Sequence, residues 1–140
     1  MVASPHEEAA RVLMARVLIV EPHRAVREPF GVVCRAWGHH VATAGEGREA
    51  LAMAAAFRPE VVLLDSGRLG HMTGPEVARR IRELDGGSPF IVVFTSWSPM
   101  RERANALRAG ANACFPKPVD LALLRRTIER AVERVASDEY

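Results

Sequence analysis

Cysteine is scarce in this 140-residue chain. Cys34 and Cys114 are too few for a disulfide framework and too far apart for a CxxC metal clip. Both fall in apolar segments and read as buried free thiols. Lysine is scarcer still: of 19 Lys plus Arg, only Lys117 is a lysine. An ammonium is a compact point charge and a guanidinium a planar fork. A chain that uses arginine almost everywhere else therefore points to Lys117 as a position the fork does not serve. Long apolar runs are missing as well. Val61–Leu64, Phe90–Phe94 and Ala50–Phe57 fall far short of the roughly eighteen residues a membrane span needs. The opening Met1-Val-Ala-Ser-Pro-His-Glu-Glu carries two acids and no apolar core, so it does not read as a secretory signal. These absences place the expected protein in the cytoplasm and off membranes. Nor is there an excess of one charge. The net charge is +2, with acids and bases interspersed and no basic stripe, which argues against direct nucleic-acid binding by this chain.

What is present is an alternation. Residues 1–15 form a polar, Ala-rich extension, expected to be partly disordered or a short helix. From Arg16 onward, short apolar runs alternate with segments of helical period. The runs are Val17–Val20, His40–Ala44, Val61–Leu64, Phe90–Phe94 and Ala111–Phe115. Three are continuously apolar, as strands covered on both faces should be; His40–Ala44 is weaker and belongs near an edge. Val26, Phe30, Val33 and Trp37 mark a first helix closed by Gly38, with Pro29 expected to kink it or delay its start. Gly47–Phe57 is a second helix, stopped at Arg58-Pro59. Thr73-Gly-Pro-Glu76 has the capping-box form and opens a third. Ser98-Pro99 opens a fourth that ends near Gly110. Asp120 caps a fifth, with Leu121, Leu124, Ile128 and Val135 on one face. Five strands and five helices in strict alternation predict an α/β fold: a doubly wound, five-stranded parallel sheet flanked by helices, spanning residues 16–136, with 137–140 as a tail.

In such sheets ligands bind beyond the carboxyl ends of the strands. The residues leaving the runs are Glu21, Asp65 and Thr95, and Lys117 lies just past the last run. Two acids, a hydroxyl and an ammonium thus gather on one rim. No nucleophile–histidine pairing, Gly-rich phosphate loop or HExxH motif accompanies them. Carboxylate, hydroxyl and ammonium suit phosphoryl chemistry: the carboxylate as acceptor, the other two on the phosphoryl oxygens, and a divalent cation to offset charge.

At these spacings the chain resembles the receiver domain of two-component response regulators, over about Arg16 to Val135. The residues that carry the likeness are Val17-Leu-Ile-Val-Glu21, Val61-Val-Leu-Leu-Asp65, Val92-Val-Phe-Thr95-Ser96 and Ala109-Gly-Ala-Asn-Ala-Cys-Phe-Pro-Lys117-Pro118. The resemblance implies a flavodoxin-like receiver fold in which Asp65 accepts a phosphoryl group from a histidine kinase or phosphotransfer protein. It implies that Thr95 or Ser96, with Lys117, contacts the phosphoryl oxygens, and that the Lys117-Pro118 bond is cis. It implies output through the fourth helix, fifth strand and fifth helix to a downstream partner or a receiver homodimer. The domain would then be a phosphoacceptor and not an enzyme, beyond at most slow self-dephosphorylation.

The sequence also departs from the family. The usual acid pair after the first strand is here Glu21-Pro22, so Mg²⁺, expected on Glu21, Asp65 and the backbone of Gly67 or Arg68, should bind weakly. His23 or Arg68 is the candidate for positive charge in place of the metal. The loop Ser66–Gly74 is one residue longer than usual and lacks its proline. The family's switch aromatic aligns with Cys114, and Phe115, one place on, should point to the other face. Trp97, two residues past Thr95, is expected to obstruct the attacking water and slow loss of the phosphoryl group. These departures keep a second reading open: a pseudo-receiver acting as a phosphorylation-independent interaction module. A flavin- or small-molecule-binding flavodoxin-like domain is disfavoured, because Glu21-Pro-His-Arg is no phosphate cradle.

Overall fold

A computed structural model describes residues 14–84, 88–96 and 99–138. Five parallel strands, β1 (Arg16–Val20), β2 (His40–Ala44), β3 (Val61–Asp65), β4 (Phe90–Thr95) and β5 (Ala113–Pro116), form one sheet in the order β2-β1-β3-β4-β5. The central strands β1, β3 and β4 are buried almost throughout, which accounts for their unbroken apolar runs. The weaker His40–Ala44 run is an edge strand, as its composition requires.

Successive side chains on each strand go to opposite faces. Leu18, Val20, Val62, Leu64, Ile91 and Val93 pack under α2 (Gly47–Phe57), α3 (Gly74–Arg82) and α4 (Pro99–Ala109). Val17, Ile19, Leu63, Val92 and Phe94 pack against α1 (Arg24–Ala36) and α5 (Leu121–Asp138). On α5 the buried stripe is Leu124, Ile128, Ala131 and Val132. Leu121 is largely exposed, and the side chain of Val135 lies outside the described residues.

Local chemistry sets most of the helix ends. Gly38, at φ 99°, follows α1, and its N–H donates to the Arg35 carbonyl. Arg58, in the left-handed conformation, closes α2 before Pro59. The Thr73 hydroxyl accepts from the Glu76 N–H and caps α3. The Asp120 carboxylate accepts from the Leu123 N–H at 3.1 Å and caps α5.

Three elements differ from the sequence expectation. Pro29 lies within α1, which still begins at Arg24. Pro29 and Ala25, whose carbonyl loses its helical donor, both face solvent, where the lost bond costs least. The fifth strand runs Ala113–Pro116 instead of Ala111–Phe115, because Gly110 (φ 114°) and Asn112 are used in turning into the sheet. The Asn112 side chain accepts from the Ile91 N–H at 2.8 Å. Finally, the loop after β3 folds into an antiparallel ribbon, Arg68–Leu69 with Met72–Thr73, in which Leu69 is fully buried.

One polar clamp closes the amino edge of the sheet. The Arg82 guanidinium donates to the carbonyls of Gly110 and Pro89, to the Ser88 hydroxyl and to the Asn112 side chain, at 2.6–2.9 Å. It ties the end of α3 to the starts of β4 and β5.

Candidate functional site

β1 and β3 are adjacent, and their helices leave to opposite faces. The crevice therefore opens beyond their carboxyl ends, where an open α/β sheet binds ligands. The register aligns Val20 with Leu64 and Asp65 with Phe94, so Glu21 and Asp65 emerge side by side. Both are buried, at 6% and 7% exposure. Lys117 follows β5 and reaches back across the rim, where its Nζ donates to Asp65 Oδ1 and lies 3.8 Å from Glu21 Oε2. The other Asp65 oxygen accepts the Gly67 N–H at 2.8 Å. The Lys117–Pro118 peptide bond is cis. Burial of two carboxylates is tolerable here because each is paired and hydrogen-bonded.

Glu21 has further partners. Its Oε1 accepts from the His23 backbone N–H at 3.2 Å and lies 3.0 Å from the His23 ring nitrogen Nδ1. Arg27 was not singled out from the sequence, yet it holds this loop: its Nη1 donates to the carbonyls of Glu21 at 2.8 Å and Pro22 at 3.4 Å. The only sequence signal was its place in the first turn of a helix directly after the acid. Arg68, the other candidate cation, is exposed on the ribbon opposite Thr73.

The hydroxyl side of the rim is arranged differently from the acid side. Thr95 is buried, and its side chain is hydrogen-bonded to the thiol of Cys114. Burial pushes that thiol's pKa up, against the lowering effect of the Thr95 bond. The Thr95 carbonyl accepts the Lys117 N–H at 2.8 Å and so fixes where the lysine leaves the strand. Ser96 is exposed. Phe115 points to the opposite face from Cys114 and packs against Phe94, ring centroids 6.4 Å apart. Trp97 lies outside the described residues.

Two glycines bring the ribbon loop against Asp65. A β-carbon at Gly74 would lie 2.2 Å from the Asp65 carbonyl oxygen, and one at Gly67 would lie 2.9 Å from Asp65 Oδ2. Between α1, α5 and the rim opens a mostly apolar cavity of about 330 Å³, with Phe30, Leu63, Phe94 and Leu121 among its walls and Asp65 and Lys117 at its polar end.

A carboxylate held against an ammonium at the polar end of a cavity, on a sheet of this topology, is the arrangement of a receiver-type α/β fold. The chain belongs to the response regulator receiver domain family, whose match covers residues 17–129. It is 39% identical over 120 residues to the response regulator MprA of Mycolicibacterium vanbaalenii, covering 80% of this chain and 51% of that protein. It is 38% identical over 133 residues to MprA of Mycobacterium bovis, covering 89% and 57%. The chain thus spans about half the length of these relatives. A CheY-like receiver domain from Methanospirillum hungatei superposes with a TM-score of 0.81 at 24% identity, covering 89% of this chain and 98% of that one. No described helix is long and apolar enough to cross a membrane.

Receiver domains generally bind Mg²⁺ at this acidic pocket. The donors present here do not make up a Mg²⁺ site, which takes near-octahedral oxygen ligands around carboxylates. Position 22 offers proline in place of a second carboxylate. Asp65 is tied through both oxygens to Lys117 and Gly67, and Glu21 is tied to His23. The Gly67 carbonyl accepts from Gly74 at 3.0 Å. Among the described residues, no three acidic, histidine or cysteine side chains gather as a metal cluster.

Proposed function

We propose that this chain is the phosphoacceptor module of a two-component phosphorelay, taking a phosphoryl group on Asp65 from a histidine kinase or phosphotransfer protein. The single observation that carries the reading is the Asp65–Lys117 pair lining the polar end of the cavity, with Glu21 beside it. An Asp65 oxygen would attack phosphorus, and Lys117 would move from the carboxylate to the new phosphoryl oxygens, stabilising charge as it develops. Thr95 would complete the cradle by exchanging its bond to Cys114 for one to the phosphoryl group. The phosphorylated domain would signal through α4, β5 and α5 to a downstream protein or a second receiver. The domain would be a stoichiometric acceptor in this role, with at most slow self-dephosphorylation.

The pseudo-receiver reading is favoured by two observations: Pro22 in place of an acid, and a Thr95 side chain already bonded to Cys114. Incubation with a small phosphodonor, read by intact mass, separates the two. The phosphoacceptor reading expects wild type to gain one phosphoryl mass and Asp65→Asn to gain none. Absence of any gain leaves the interaction module.

A further inference from the structure

The polar cup is electrically closed by the protein itself. Two carboxylates, Glu21 and Asp65, emerge at the rim. Two permanent cations are fixed on them or on their loop. Lys117 sits between the two carboxylates, and Arg27 is held by the carbonyls of Glu21 and Pro22. The local sum is zero before any ion arrives. A divalent cation entering here would meet the Lys117 ammonium at close range and would compete with it, with the Gly67 N–H and with the His23 contacts for the two carboxylates of the cup. Small divalent ions of the Mg²⁺ kind also give up their water reluctantly.

We propose that Asp65 accepts its phosphoryl group without a divalent metal, with Lys117 and Arg27 supplying the positive charge. This rests on the phosphoacceptor reading above and deepens it. With phosphoramidate as the probe, an Asp65 carboxylate oxygen forms a bond to phosphorus as the P–N bond breaks. The bonding pair leaves on nitrogen, which is already protonated in the donor and departs as ammonia. Charge and protons balance, and no further co-reactant is needed. Arg27 is a positioning residue here: it acts through the loop that carries Glu21, and does so by charge as well as by hydrogen bonds.

The test has two arms. In the first, wild type, Pro22→Asp and Arg27→Gln are incubated with phosphoramidate in EDTA or in excess Mg²⁺, and uptake is followed by intact mass. Wild type is expected to charge at the same rate, within about twofold, in both buffers. Pro22→Asp is expected to become dependent on Mg²⁺, its rate rising about tenfold or more when the ion is added. Arg27→Gln is expected to charge about fivefold more slowly in EDTA. In the second arm, Mg²⁺ alone is titrated into the wild-type chain and amide resonances are followed. No saturable shift is expected at residues 21–23, 65–67 or 117. Wild-type uptake that needs Mg²⁺, or a saturable millimolar or tighter Mg²⁺ response, overturns the metal-free proposal and leaves the phosphoacceptor reading standing. Uptake in neither buffer overturns both.

Discussion

Arg82 at the amino end of the sheet and Lys117 at the carboxyl end do opposite things. At the amino edge Arg82 meets only neutral acceptors, namely two backbone carbonyls, a hydroxyl and a side-chain amide. At the carboxyl edge Lys117 meets two carboxylates. The guanidinium fork spreads several donors in fixed directions and joins three chain segments into one. The ammonium has no preferred plane and can be handed from one oxygen to another. On the phosphoacceptor reading, the lone lysine of the chain stands where a movable point charge is required, and an arginine where a fixed brace is required.

The sharpest way to break this contrast is to exchange the cations. Lys117→Arg keeps the charge but replaces the point by a fork. Phosphoryl uptake from a small donor is expected to fall about a hundredfold, while the urea midpoint shifts by less than about 1 kcal/mol in stability. Uptake at the wild-type rate would erase the distinction. The reciprocal change, Arg82→Lys, keeps the charge and loses the fork. It is expected to cost about 2–3 kcal/mol of stability by urea unfolding, because the carbonyls of Gly110 and Pro89 and the Asn112 amide lose donors. Uptake by the folded fraction should be unchanged.

A third test concerns a buried polar group near the Arg82 end. His39 is buried, and its Nδ1 accepts the Ala15 N–H at 3.1 Å. Burial holds its pKa below the ordinary histidine value, with Glu129 and Glu60 opposing and Arg125 reinforcing. The folded state therefore favours the neutral ring, and the unfolded chain binds the proton more readily. This contribution to stability is complete above the unfolded pKa, near about 6.5, and is lost as the pH falls from there toward the lower folded value. Urea midpoints measured across this range should decline on acidification in wild type and decline less in His39→Asn. Equal slopes would remove His39 from the account. The smallest expected effect is at Arg125, whose guanidinium lies 5.7 Å from the centroid of the Trp37 ring. Arg125→Gln should cost about 0.5–1 kcal/mol by the same measurement.

Much of this could be read in advance, for physical reasons specific to each part. The central strands were legible because burial on both faces demands unbroken apolar runs, and residues such as Leu63 and Val92 have no other place to go. Asp65, Glu21 and Lys117 were legible because the fold makes its site where strands end. The start of α1 was not, since a proline on the solvent face costs less than one in the core. The ribbon after β3 was not, since two-residue strands leave no periodicity. Arg82 was hidden because, among 18 arginines (19 basic residues less Lys117), nothing in the sequence marks which one bridges distant carbonyls, and Arg27 had only its place near the start of a helix as a signal. The side-chain bond from Thr95 to Cys114 required the registry of β4 with β5, which local sequence does not encode.

The ribbon loop is moored at both of its stumps. Gly67 binds the Asp65 carboxylate at one end, and Gly74 is pressed on the Asp65 backbone at the other. On the phosphoacceptor reading, these two moorings would hold Asp65 in place while the stretch between them varies. Lengthening the stretch by a residue, or redecorating its tip at Gly70 and His71, would then alter what an approaching phosphodonor meets without moving the carboxylate.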